Sequence, residues 1–207
     1  IDFADPANPV IEKLDFDFAS CGYALCIVDT GGSHSDLTDE YAAVRKEMES
    51  VAEYLGKSVL REVDEDELMK NIADIRSSCG DRAVLRAMHF YGDNARVEKQ
   101  AAALKAGDFE TFKKYIIESG RSSYMYNQNV YSCKKVSEQP VSLALSLSEK
   151  LLDGYGAWRV HGGGFAGTIQ AFVPLNKLDE YKDLMEKVFG SGSCYILSVR
   201  PVGGVEL

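Results

Sequence analysis

The chain has 207 residues, of which 45% are hydrophobic and 27% are charged, and this composition is typical of globular proteins. Its 23 Lys and Arg residues stand against 32 Asp and Glu residues, which gives a net charge of -9. This acidity argues against nucleic acid or an anionic membrane as the main partner, because both bind basic surfaces. The five Cys residues are scattered without a Cys-x-x-Cys pair, so we expect neither a disulfide framework nor a zinc site, and we expect a reducing, cytoplasmic location.

The first strong strand is predicted at Tyr23 to Asp29, a continuous apolar run that indicates burial on both faces of a sheet. Thr30-Gly31-Gly32 then predicts a turn. Apolar residues recur at three- and four-residue spacing through the middle of the chain, which favours an antiparallel layer of helices. These helices are predicted from Asp36 or Thr38 to Leu55, after Asp64, from Asp81 to Lys105, and after Gly107-Asp108.

The segment after Pro140 fits both a strand and a helix, and its Glu149 to Gly154 ending favours the helix. The remaining predicted elements are strands at 157–161, 168–173 and 195–199 and an amphipathic helix at 178–188. Together with the first strand they predict an α+β fold, with a four-stranded antiparallel sheet and a layer of helices.

The most informative segment is the glycine-rich loop Gly162 to Gly167, between the second and third predicted strands. Such a loop can bring backbone N–H groups close to a phosphate, but it can equally be a tight connection against another backbone. It lacks the Gly-Lys-Ser/Thr ending of a Walker A loop, and a strand rather than a helix follows it. The residues alone leave both interpretations open.

The loop sequence RVHGGGFAGT resembles the third conserved motif of the GHMP small-molecule kinases, in the form found in galactokinases. The segments GYALCIVDTGGSHSDLTDEYAAVRKEM, RAMHFYGDNARVEKQAAAL and SSYMYNQNVY also resemble galactokinase segments and occur in the same order. Four residues depart from the family pattern: Asp93 replaces a frequent Glu, His161 a Thr or Ser, Ala166 a Gly and Thr168 a Cys. These changes affect the fine contacts of the loop rather than the resemblance.

Galactokinases also carry a sugar-binding G-R-x-N-x-x-G-E-H-x-D-Y segment and a P-x-G-x-G-L-S-S-S-A phosphate loop, and neither string occurs in this sequence. The resemblance therefore implies the C-terminal half of such a kinase, a view that the start at Ile1 rather than Met supports. It implies that residues 1–20 lead in from an N-terminal half and that residues 21–207 form a ferredoxin-like C-terminal domain. The catalytic Asp and Arg, and most contacts to ATP and Mg²⁺, would belong to the N-terminal half, so this half alone is expected to be inactive.

The resemblance implies phosphorylation of galactose by ATP at the anomeric hydroxyl, and it assigns two sets of residues to the cleft. Tyr41 matches a sugar-contacting Tyr, although Ala42 replaces the neighbouring Asn, and the competing interpretation is a core Tyr on an amphipathic helix. The phosphate loop of the other half is expected to be supported by Gly162, Gly163, Gly164, Phe165, Ala166 and Gly167.

Other interpretations remain open. One is a non-catalytic, galactokinase-like sugar sensor, and others are a different GHMP kinase and a free-standing ligand-binding module. His89 and Phe90 are expected to pack between helices. The half-kinase interpretation also predicts an exposed apolar face on the sheet, where the N-terminal domain would pack.

Overall fold

The computed structural model describes residues 1–32, 37–165 and 167–199, and it confirms the predicted α+β fold. Residues 1–20 form neither helix nor strand and contain one isolated bridge between Asp2 and Val10. The elements in chain order are β1 (Tyr23–Asp29), α1 (Thr38–Tyr54), α2 (Glu65–Lys70), α3 (Ile72–Cys79), α4 (Asp81–Lys105), α5 (Phe109–Ser122), α6 (Pro140–Leu152), β2 (Ala157–His161), β3 (Thr168–Pro174), α7 (Leu178–Phe189) and β4 (Cys194–Leu197).

The four strands form one antiparallel sheet in the order β2-β3-β1-β4. Thr168, at the start of β3, lies between Asp29 at the end of β1 and His161 at the end of β2. The turn after β1 and the glycine-rich loop after β2 therefore lie at the same end of the sheet. This register places Thr30 beside the loop.

One face of the sheet carries the main core. Ala24, Cys26 and Val28 of β1 point to this face, and all three are buried. Helices α6 and α7 cover it, with Tyr181 and Met185 of α7 fully buried in the same cluster. The helix predicted after Pro140 is thus confirmed as α6, which buries one side against this sheet.

The opposite face is covered only in part. Helix α5 crosses it at β2, where Gly120 lies so close that a Cβ atom would come 2.9 Å from the Arg159 Cβ. Leu25 and Ile27 of β1 are only half-buried on this face, so the prediction that β1 is buried on both faces is wrong for this side. Further along, Tyr195 and Leu197 of β4 are 53% and 47% exposed. The sheet therefore has the exposed apolar face that the sequence predicts.

The remaining helices form a second layer with its own core, made of residues from α1, α2, α3 and α4. Two helices begin at the Asp residues after which the sequence predicts them. Asp64 accepts a hydrogen bond from the Asp66 N–H at the start of α2, and Asp108 accepts one from the Thr111 N–H at the start of α5. No helix in the described part of the chain is both long and apolar enough to cross a membrane.

Candidate functional site

The glycine-rich loop between β2 and β3 has an unusual backbone. Gly162 and Gly164 have φ values of 66° and 83°, and Phe165 has a φ of 60°. The left-handed conformation costs a residue with a side chain about 1–2 kcal/mol. Phe165 is nevertheless 3% exposed, so its surroundings must hold it in this conformation. Ala166, which the sequence analysis also assigns to this loop, lies outside the described residues.

Three residues from other parts of the chain hold this loop through hydrogen bonds. The Asn129 carbonyl accepts the Phe165 N–H at 2.6 Å, and the Asn129 Nδ2 donates to the Gly163 carbonyl at 3.3 Å. The Thr30 hydroxyl donates to the Gly167 carbonyl at 2.6 Å. The Tyr41 hydroxyl donates to the Gly164 carbonyl at 2.8 Å. The loop is therefore fixed mainly through its carbonyl groups.

Close approach explains two of the glycines. A Cβ atom on Gly163 would lie 2.7 Å from the Tyr41 Cε1, and a Cβ atom on Gly164 would overlap the Asn129 carbonyl oxygen. The tight-packing interpretation of the loop is thus confirmed for these two positions. It leaves room for the phosphate interpretation, because the N–H groups of Gly163 and Gly164 make no hydrogen bond with the residues that the structure describes.

Tyr41 lies in the first two turns of α1 and points at the loop. Its ring packs edge-on against Phe165, with 5.1 Å between the ring centroids. Burial raises the pKa of Tyr41 above the ordinary value for a phenol, so the hydroxyl keeps its proton at neutral pH. The structure therefore brings the residue with a predicted sugar role into contact with the loop that has a predicted phosphate role.

A cleft of about 620 Å³ borders this contact. Its lining includes Thr30 and Gly31 after β1, Leu37 before α1, Phe165 of the loop, and Leu143 of α6. This volume lies within the range of small-molecule sites, and the mixture of apolar and polar groups is also typical of them.

Sequence reasoning missed Thr30 and Asn129 as anchors of the loop. The only signal for Asn129 was its place in the SSYMYNQNVY segment, which carried no assigned role. It lies just after a π-helical turn at Ser123–Asn127, an irregular ending of α5 that periodicity does not indicate.

The other titratable candidates are engaged in packing. His89 is buried between α4 and α5, and its Nδ1 lies 2.9 Å from the Ser122 hydroxyl. Burial lowers the pKa of His89, while the neighbouring Asp93 opposes this effect. Arg159 donates to the Ser119 hydroxyl at 2.6 Å, and this hydroxyl donates to Asp93 at 2.6 Å. The prediction that His89 packs between helices is confirmed.

The described residues offer no cluster of three or more His, Cys, Asp or Glu side chains that is arranged to hold a metal ion.

The α+β fold of the chain matches part of a known galactokinase structure. None of the protein-family models compared with the chain matches it. A crystal structure of Lactococcus lactis galactokinase complexed with galactose has the same fold, with a TM-score of 0.63 and 20% identity over 86% of this chain and 45% of that chain.

Two galactokinase sequences are also similar to the chain. The Homo sapiens galactokinase is 32% identical over 184 residues, which cover 89% of this chain and 44% of that protein. The Thermotoga neapolitana galactokinase is 30% identical over 167 residues, which cover 81% of this chain and 42% of that protein. The chain is therefore a relative of the galactokinases and corresponds to their C-terminal part. It spans less than half the length of the relatives that it matches.

Proposed function

We propose that this chain forms one wall of the substrate cleft of an ATP-dependent kinase that phosphorylates galactose at its anomeric hydroxyl to give galactose 1-phosphate. The observation that carries the proposal is the 2.8 Å hydrogen bond from the Tyr41 hydroxyl to the Gly164 carbonyl. It joins the candidate sugar contact to the candidate phosphate contact at the border of a cleft of suitable size. The similarity to galactokinases supplies the substrate class.

The chemistry of phosphoryl transfer depends mainly on positioning and charge neutralisation. In this proposal the loop of Gly162, Gly163, Gly164, Phe165, Ala166 and Gly167 supports the phosphate-binding segment of a second domain and directs the N–H groups of Gly163 and Gly164 toward the phosphates. Tyr41 contacts the sugar. A catalytic Asp and most contacts to ATP and Mg²⁺ come from the second domain, so the 207 residues alone are inactive.

The second domain is proposed to be the chain's own N-terminal domain, in a cytoplasmic protein. Two observations support it. The relatives have more than twice the length that the chain matches, and the sheet exposes apolar side chains at Tyr195 and Leu197. Apolar surface of this kind is typical of a contact between domains.

The test is a coupled assay of the gene product that contains these residues, with ATP, Mg²⁺ and a panel of sugars. We expect turnover with galactose and none with the 207-residue chain alone. Gly163→Val should reduce turnover while circular dichroism shows an intact fold, because the added side chain displaces Tyr41. Gly107→Ala, at the remote end of α4, is the control that should retain activity. Normal turnover in Gly163→Val would contradict the proposed role of the loop.

A non-catalytic sugar sensor is the alternative, since the two candidate sites can hold ligands without a catalytic residue. Calorimetric titration separates the two functions. A sensor binds galactose without forming galactose 1-phosphate, whereas the proposed enzyme forms the product.

A further inference from the structure

Behind the glycine-rich loop lies a fully buried arginine, Arg86 of α4. Its Nη1 donates to the Glu47 carboxylate of α1 at 2.9 Å, and its Nε donates to the Asn127 backbone carbonyl at 3.0 Å. Burial lowers the pKa of Arg86, and the Glu47 charge opposes this effect. Burying a charge is costly even when it is paired, so the position of this side chain requires an explanation beyond general packing.

The Asn127 carbonyl that Arg86 contacts lies close in sequence to the residue that anchors the loop. Asn127 ends the π-helical turn, Gln128 follows in a left-handed conformation with a φ of 55°, and Asn129 comes next. The Asn129 carbonyl accepts a hydrogen bond from the Phe165 N–H, and the Asn129 side chain donates one to the Gly163 carbonyl. Asn127 and Asn129 are both buried. Only one residue of backbone therefore separates the carbonyl that Arg86 binds from the one that binds the loop.

We propose that Arg86 is a positioning residue for the glycine-rich loop. By fixing the Asn127 carbonyl it sets the orientation of the Asn129 carbonyl, and through it the left-handed Phe165 and the direction of the Gly163 and Gly164 N–H groups. The effect on turnover rests on the proposed function, whereas the effect on the loop is a property of this chain alone.

A simpler role for Arg86 would be to join α1 to α4 through Glu47. Arg82 already makes that connection, since its Nη2 and Nε both contact the Glu47 carboxylate. The Arg82 side chain is 45% exposed and is bonded to the Glu47 carboxylate rather than to the Asn127 carbonyl. Arg82→Met is therefore a matched control that weakens the connection between the helices and leaves the Arg86 contact with Asn127 in place.

The experiment is amide hydrogen exchange on the 207-residue chain, followed at the peptide that contains Phe165 and normalised to global stability. Arg86→Met should raise exchange at this peptide by about tenfold, as expected when a buried hydrogen-bonded segment opens more often. Arg82→Met should change it by less than about twofold. Equal loop exchange in Arg86→Met and Arg82→Met would overturn the inference.

Arg86→Lys keeps the test decisive if Arg86→Met does not fold. A lysine has a single terminal nitrogen and cannot replace both Nε and Nη1, and its charge should follow the Glu47 carboxylate. We expect a folded protein with faster exchange at Phe165, and exchange at the wild-type rate would overturn the inference.

Activity separates this inference from the proposed function. In a gene product that phosphorylates galactose, Arg86→Lys should lower kcat and Arg82→Met should leave it near the wild-type value. Faster loop exchange in a gene product without kinase activity would leave the positioning role intact and refute the proposed function.

Discussion

Gly164→Ala tests the geometry of the glycine-rich loop most directly, because it combines two separate costs. The φ of 83° at this position imposes a left-handed alanine, which costs about 1–2 kcal/mol. The new Cβ also overlaps the Asn129 carbonyl oxygen, so this carbonyl must move and its hydrogen bond to the Phe165 N–H is lost. A buried N–H without a partner costs about 1–3 kcal/mol. The free energy of unfolding should therefore fall by about 2–5 kcal/mol.

Two neighbouring glycines separate these costs. Gly162 has a φ of 66° but open space around it, so Gly162→Ala should cost only the backbone term of about 1–2 kcal/mol. Gly163 lies outside the left-handed region, and a Cβ there meets the Tyr41 ring, which can shift, so Gly163→Ala should cost about 1 kcal/mol.

The assay is equilibrium unfolding in urea with linear extrapolation. The expected order of destabilisation places Gly164→Ala well beyond the other two variants. If Gly164→Ala were no more destabilising than Gly162→Ala, the close approach of Asn129 would not govern this position.

Two further substitutions test other parts of the site. Tyr41→Phe should raise the galactose KM of the active gene product and leave the ATP KM unchanged, and an unchanged galactose KM would refute a sugar contact. Burial lowers the pKa of His89. As the pH falls, the unfolded chain therefore binds a proton at a higher pH than the folded chain does. The stability that His89 contributes above about pH 6.5 is lost as the pH falls below this value. His89→Gln should therefore flatten the dependence of the unfolding free energy on pH, whereas substitution of the exposed His161 by Gln should leave this dependence in place. An unchanged slope in His89→Gln would contradict the burial effect on His89.

The elements that the sequence predicted well are those governed by local pattern. The 3-and-4 spacing in α1, the Gly107-Asp108 break and the Pro140 start each depend on a few neighbouring residues, and all three appear in the structure. The apolar run of β1 was misleading because coverage of a strand depends on where a distant helix lies. Helix α5 reaches the second face at β2 and leaves Ile27 half-buried.

The residues that anchor the glycine-rich loop are harder to predict, because they too depend on elements that are distant in the sequence. Asn129 holds the loop through its backbone carbonyl, and a backbone group leaves no chemical signature in the sequence. Its position is set by the π-helical turn and the left-handed Gln128, which no periodicity indicates. Tyr41 was identified only through resemblance, since its helical spacing equally fits a core residue.

The two interpretations of the glycine-rich loop, tight packing and phosphate contact, are physically connected. Each anchor takes a loop carbonyl or the Phe165 N–H, and within the described residues the N–H groups of Gly163 and Gly164 are left unpaired. A loop fixed in this way presents its N–H groups in one orientation before any ligand arrives, so little reorganisation is needed on binding. Packing against Tyr41 and Asn129 is thus the condition under which an anion site can form, because a loop free of these contacts would have to be ordered at the expense of binding energy. It follows that variants of the anchors should weaken the proposed phosphate contact without touching the phosphate.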